Sequence, residues 1–247
     1  MVKKPFGVLI LHGFTDTVNS MGILLPPLTA LGLPYRIPVL RGHGADSPKA
    51  LHGVSWQDWV EDAKGALQDL LNEAEKAIVV GYSLGGLVGI YLTAEQSEYI
   101  DSLVLVAAVV RLAAAIAPGH PLSFITPLIV KLIKRWPMLP VYVDPELAKG
   151  HDSYPWAPTD AIASLFELSE VARKLLGVVS VPTLIIQSRN DTTAAPECPE
   201  IIFNNIATPI DKKGIVWFEK TGHEMFRDCE RDDVAKVVMR FVNERIE

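Results

Sequence analysis

A chain of 247 residues, 49% of them hydrophobic, holds enough apolar material for one large α/β domain with a small insertion. The formal charge is −6 and the 23 Lys and Arg residues are scattered, which argues against a nucleic-acid partner, since such a partner calls for a basic stripe. No run of about 18 uninterrupted apolar residues occurs, so stable membrane insertion is not expected, and the short apolar run after Met1-Val2-Lys3-Lys4-Pro5 reads as a first strand rather than a signal peptide.

Phe6 to Leu11 is wholly apolar and predicts a buried strand. Ser20 to Leu31 predicts a helix stopped by Gly32, and Tyr35 to Leu40 a second strand. Ser55 predicts an N-cap, with Asp58 three residues on and apolar residues recurring at Trp59, Ala63, Ala66, Leu67, Leu70 and Leu71. Lys76 to Val80 reads as a strand, Leu84 to Ala94 as a helix and Ser102 to Ala107 as a strand. From Arg111 to Leu176 the alternation stops; the segment is punctuated by proline and looks helical, with no good strand. It is too long for a loop of a compact domain and reads as a cap. Strand and helix then alternate again: Val181 to Gln187, Pro196 to Asn204, Gly214 to Phe218 and Asp232 to Arg245. The expected fold class is α/β, a mainly parallel sheet of about six to seven strands with helices on both faces. Residues 1–110 and 177–247 would form the core and 111–176 the inserted helical cap.

Between the strand ending at Val80 and the helix beginning at Leu84 stands Gly81-Tyr82-Ser83-Leu84-Gly85-Gly86. A G-x-S-x-G turn between strand and helix is a nucleophile elbow, which lifts a serine hydroxyl above the end of the sheet. Glycine is needed at 81 and 85 because a Cβ would collide across so tight a corner. A serine hydroxyl needs a base within reach and the base needs an orienting acid. In this architecture the chain order is Ser, then Asp or Glu, then His. Asp191 follows the strand ending at Gln187, and His223 follows the strand ending at Phe218, so both reach the same sheet edge as Ser83. Asn190 cannot serve as a carboxylate and Glu197 falls in the next helix; Glu224 adjoins His223 but would point away from its Nδ1. Of the other histidines, His12, His43, His52, His120 and His151, none lies after both the acid and the last strand. An oxyanion hole requires two backbone N–H groups: Leu84, after the nucleophile, and Phe14, in the loop His12-Gly13-Phe14 after the first strand. His12 reads as a buried scaffold residue.

With these pieces placed, the chain resembles the α/β-hydrolases and, among them, the small carboxylesterase and monoacylglycerol lipase group. The resemblance rests on His12-Gly13-Phe14-Thr15, Arg41-Gly42-His43-Gly44, Gly81 to Gly86, Asp191 and Gly222-His223, spanning the chain apart from the insertion. It implies Ser83, Asp191 and His223 as the catalytic triad, Phe14 and Leu84 as oxyanion donors, and no metal or cofactor. The chain departs from the group in starting almost at the strand that is third in larger members, and in carrying Gln187-Ser188 where many relatives have a glycine.

The expected activity is hydrolysis of short- to medium-chain acyl esters or monoacylglycerols, with thioesterase, feruloyl-type esterase and non-catalytic binding protein as the alternatives. In the cap, Leu122, Phe124, Ile125, Leu128, Ile129, Leu132 and Ile133 line one face of a helix interrupted at Pro127. Either that face packs on the core or, with Phe14, the residues Leu128, Ile129 and Leu132 wall an acyl site able to touch lipid aggregates transiently. The partner expected is a small-molecule ester, the protein a cytoplasmic monomer or homodimer. Cys198 and Cys229 read as free thiols, with one disulfide as the alternative.

Overall fold

The structure, a computed structural model, describes residues 2–247. Six strands form one parallel sheet: β1 (Lys4–Leu11), β2 (Tyr35–Arg36), β3 (Ala74–Tyr82), β4 (Ile100–Val106), β7 (Thr183–Ser188) and β8 (Lys213–Phe218), in the order β2-β1-β3-β4-β7-β8. Side chains alternate between faces along a strand. Leu9 and Leu11 therefore join one apolar layer and Val8 and Ile10 the other, all fully buried. The first layer is closed by α2 (Trp56–Leu70), α3 (Leu84–Glu95), α5 (Thr159–Leu175) and α6 (Cys198–Asn205). The second is closed by α1 (Leu25–Ala30), the 3-10 turn before it and α7 (Arg231–Ile246). No helix among the described residues is long and apolar enough to cross a membrane.

The predicted cap at Ser55 forms: the Asp58 carboxylate accepts the Ser55 N–H at 2.9 Å and its hydroxyl at 2.8 Å. Three expectations need correction. The helix predicted over Ser20 to Leu31 divides into a 3-10 turn, Val18–Leu24, and α1. Pro26 and Pro27 lack an N–H, which is harmless only in the first turn of a helix, so they open a new one. The strand predicted over Tyr35 to Leu40 is two residues long, flanked by Pro34 and Pro38 on the sheet's edge.

The insertion departs furthest from expectation. It contains α4 (Thr126–Leu132) and an antiparallel pair of short strands, β5 (Arg135–Pro137) and β6 (Trp156–Pro158), where no strand was predicted. Pro127 starts α4 instead of interrupting a longer helix. Helix α5 buries Ala161, Leu165, Leu168 and Ala172, spaced by helical turns, in the same layer as α3. It is a core helix, so the segment predicted as cap over 111–176 covers the sheet edge only with its part before α5. Cys198 is buried, Cys229 exposed, and both are free thiols; no disulfide joins them.

Candidate active site

β3 runs into α3 through Ser83, whose backbone sits at φ 52 and ψ −113, outside the regions that L residues favour. A Cβ on Gly85 would lie 2.0 Å from the Leu11 carbonyl oxygen, and one on Gly81 would lie 2.4 Å from that of Gly85. The corner is possible only with glycine at both places.

Ser83, Asp191 and His223 meet above the sheet edge. The Ser83 hydroxyl donates to His223 Nε2 at 3.0 Å, and His223 Nδ1 donates to Asp191 Oδ2 at 2.8 Å. All three are buried, at 6%, 7% and 6% exposure respectively for Ser83, Asp191 and His223. Asp191 Oδ1 accepts the N–H groups of Thr193 and Ala194 at 2.8 and 3.0 Å. Burial opposes charge on either partner. For Asp191 the charge and hydrogen bond of His223 and the two N–H donors outweigh burial and hold the carboxyl below its ordinary value. For His223 the burial is outweighed by Asp191, with Glu224 and Asp16 adding to it, and the imidazole is held above its ordinary value.

The N–H groups of Phe14 and Leu84 find no acceptor among the described residues. Leu84 opens α3, whose N-terminal dipole adds positive potential there. The loop carrying Phe14 rests on neutral histidines. His12 is fully buried, donates through Nδ1 to the Gly13 carbonyl at 2.9 Å, and accepts the Leu40 N–H at 3.1 Å. His43 meets the rings of His12 and Phe14 edge-on, and burial, with His12 behind it, pushes its pKa down to about 3. His52 pairs with Asp160 and His120 with the Leu112 carbonyl; His151 pairs with the Tyr142 hydroxyl and lines the same chamber as Ser83 without bonding to it. Glu224 turns from Nδ1 and accepts the Tyr82 hydroxyl at 3.0 Å, and burial raises its pKa.

Several supports have no signature in the sequence. Gln187 Nε2 donates to Asp191 Oδ2 at 2.7 Å and holds the acid, while the Ser188 hydroxyl donates to the Thr221 carbonyl and fastens the acid loop to the histidine loop. Asp16 is 3% exposed; its Oδ1 takes the Thr17 N–H, the Ser153 hydroxyl and the Arg227 guanidinium, while its Oδ2 has no donor among the described residues.

Ser83 and His223 open into a small chamber of about 80 Å³, largely apolar in its walls, where Asp16, Tyr82, His151, Ser153 and Glu224 place polar groups. Beyond it lies an apolar cavity of about 290 Å³ under α4 and beside α5. Phe14, Leu112, Met138 and Leu165 border both. Of the predicted substrate wall, Phe14 and Ile129 line the apolar cavity. Leu128 and Leu132 do not; they are 57% and 70% exposed, because a helix starting at Thr126 turns Thr126, Ile129 and Val130 inward and these two outward.

A parallel sheet, a strained serine at a strand–helix corner and a histidine arriving after the last strand define a hydrolase of the α/β-hydrolase class. The chain belongs to the family described as serine aminopeptidase S33, which matches residues 6–230. It is similar to a carboxylesterase of Bacillus subtilis, 25% identical over 98% of this chain and 97% of that protein. A thermostable monoacylglycerol lipase of Bacillus sp. is 28% identical over 96% of this chain and 90% of that one. A structure from a study of LipS and LipT, two metagenome-derived lipolytic enzymes, superposes with a TM-score of 0.83 at 26% identity, covering 98% of this chain and 95% of that one. The protein is thus an enzyme of the esterase and lipase type within the α/β-hydrolases.

Proposed function

We propose that the protein hydrolyses carboxylic esters of short to medium acyl chains, monoacylglycerols among them, through an acyl-enzyme on Ser83. The observation that carries this reading is the hydrogen-bonded line Ser83–His223–Asp191 beside the two free N–H groups of Phe14 and Leu84. In the reaction, His223 Nε2 takes the hydroxyl proton as Ser83 Oγ bonds to the ester carbonyl carbon. The charge that develops on the carbonyl oxygen is received by the N–H groups of Phe14 and Leu84. Asp191 keeps Nδ1 protonated and stabilises the imidazolium. When the tetrahedral centre collapses, the C–O bond to the alcohol breaks and His223 returns the proton to the departing oxygen. Water enters, gives its proton to His223, attacks the acyl carbon and releases the acid with Ser83 restored.

The apolar cavity supports the chain-length part of the reading. The cavity, about 290 Å³ and walled by Phe14, Ile129, Leu165 and Phe166, gives room for an acyl chain. In the smaller chamber, Asp16, Ser153 and Glu224 supply acceptors among otherwise mostly apolar walls, which supports a hydroxyl-bearing alcohol there. Outside, exposed Phe124, Leu128, Leu132 and Leu139 alongside Lys131, Lys134 and Arg135 support transient contact with lipid aggregates. Two free thiols support a reducing, cytoplasmic setting. The family description favours one second reading, cleavage of an aminoacyl amide by the same serine.

A panel of p-nitrophenyl esters of increasing chain length, with monoacylglycerols and aminoacyl p-nitroanilides beside it, separates the readings. Turnover should peak at short to medium acyl esters. Ser83→Ala should lose labelling by a serine-directed phosphonate and about three orders of magnitude or more in kcat. Equal turnover by this variant and the wild type would end the proposal.

A further inference from the structure

The loop that carries His223 is held by a carboxylate that touches neither the serine nor the substrate chambers. Asp228 is 1% exposed and receives four backbone N–H groups. Its Oδ2 accepts Gly222 N–H at 2.6 Å and Val143 N–H at 2.7 Å; its Oδ1 accepts Cys229 N–H at 2.8 Å and Asp144 N–H at 3.3 Å. One oxygen thus bridges the residue before the imidazole and a residue of the covering segment 85 positions from Asp228 in the chain. A second contact runs beside it: Glu224 N–H donates to the Val141 carbonyl at 3.3 Å. The two backbones are so close that a Cβ on Gly222 would lie 2.1 Å from that same carbonyl oxygen.

We propose that Asp228 is a positioning residue for His223, and that through it the covering segment 141–144 sets where the imidazole stands. The proposal rests on the reading of His223 as the base. A carboxylate suits this place better than any neutral group, because it can accept on both oxygens with charge-assisted strength. Burial opposes its charge, but the four donors outweigh it and keep the carboxyl below its ordinary value. Displacement of a catalytic group by about 1 Å costs about a hundredfold in rate, so a loop freed from both Gly222 and Val143 should lose activity with the triad residues all present. The covering segment also lines the substrate chamber through Met138, Leu139 and Pro140. A substrate that moves this segment would therefore move the base.

The test compares wild type, Asp228→Ala and Asp228→Asn on one p-nitrophenyl ester across pH, with the low-field Nδ1 proton of His223 followed by NMR. Asp191 faces His223 from the loop after β7, Glu224 from its own loop and Asp16 from the loop after β1; Asp144 and Cys229 lie beside Asp228. Asp228→Ala should lower kcat about a hundredfold and weaken or lose the Nδ1 signal. It should also move the acid limb of kcat/KM to lower pH, because a loosened Asp191 contact no longer raises the imidazole. Asp228→Asn keeps one acceptor oxygen, enough for one pair of donors, and should fall between the two. An unchanged acid limb and Nδ1 signal in a folded Asp228→Ala protein would overturn the proposal. Should that variant fail to fold, amide exchange in the wild type decides: the Gly222 and Val143 N–H groups should be protected to a similar degree, and a freely exchanging Val143 beside a protected Gly222 would overturn it. Absence of Ser83-dependent turnover in the wild type would instead strike at the esterase reading itself.

Discussion

Asp191→Asn removes one charge and almost no volume, and the hydrogen-bond pattern around residue 191 determines its effect on the histidine. Oδ1 faces two backbone donors, Thr193 and Ala194, which an amide NH2 cannot satisfy. The asparagine carbonyl must therefore take that side, leaving its NH2 toward His223 Nδ1 and Gln187. Gln187 can turn its own amide to accept. His223 cannot face a donor with a donor, so its proton moves to Nε2 and Nδ1 becomes the acceptor. Nε2 then presents a hydrogen to the Ser83 hydroxyl in place of a lone pair, and the base is lost in the ground state. A triad with the wrong tautomer loses about four orders of magnitude in kcat, close to ~5.5 kcal/mol of transition-state stabilisation. Because Thr193 and Ala194 keep their acceptor, the fold should persist, with thermal unfolding near that of the wild type. The assay is steady-state hydrolysis of a p-nitrophenyl ester together with the rate of phosphonate labelling, and both should fall together. A folded variant with kcat within tenfold of the wild type would refute the assignment of Asp191 and the tautomer argument with it.

Two further outcomes can be checked on the same substrates. The acid limb of kcat/KM reports His223, whose folded pKa is raised, so activity should be lost on acidification from above the ordinary imidazole value of about 6.5; Glu224→Gln deletes one of the negative charges that raise it, and the limb should move to lower pH, whereas a shift to higher pH would contradict the field argument. The acyl cavity is separated from an outer groove of about 730 Å³ by a wall one side chain thick, since Ile116, Thr126, Val130, Ala163 and Phe166 border both spaces. Phe166→Ala should join them and move the preferred acyl chain several carbons longer, at a stability cost of about 3–5 kcal/mol; an unchanged chain-length profile in the folded variant would show that the cavity ends elsewhere.

What the sequence made legible was local. The elbow could be read because one tight corner forces glycine at 81 and 85, and β1, β3, β4 and β7 because both of their faces are buried and hence apolar; β8, at the sheet's edge, is half-buried but keeps the apolar run Ile215 to Phe218. Asp191 and His223 followed from strand ends, not from any pattern around them. The insertion resisted reading because tertiary contacts decide it. Trp136 and Ala157 pair as antiparallel partners although prolines flank them, and α5 is a core helix only because α3 happens to lie beneath it. Leu128 and Leu132 failed as substrate contacts for a similar reason: the apolar pattern gave a face, but where the helix began decided which way that face turned. Gln187 was visible only as a departure from the family, and Asp228 not at all, because each acts on backbone or side-chain atoms that only the fold brings near.

The strand order explains why such supports are needed at all. Ser83 stands at the end of β3 and His223 comes after β8, three strand spacings away in β3-β4-β7-β8. At about 4.8 Å per spacing the imidazole must be carried some ~14 Å across the sheet edge. Only four residues, Glu219 to Gly222, lie between Phe218 and His223. The connecting arm bends at Glu219 and Lys220 and has no helix or ladder of its own to stiffen it. It is fastened from outside instead, and in sequence along its path. Arg189 N–H donates to the Phe218 carbonyl at 2.9 Å, Asn190 Nδ2 to the Glu219 carbonyl at 2.6 Å, Ser188 to that of Thr221, and Gly222 gives its own N–H to Asp228. The first three ties come from the end of β7 and the loop after it, which carries Asp191, so the acid and the base are positioned as one unit. The fourth belongs to the covering segment's side, and it lies nearest the imidazole.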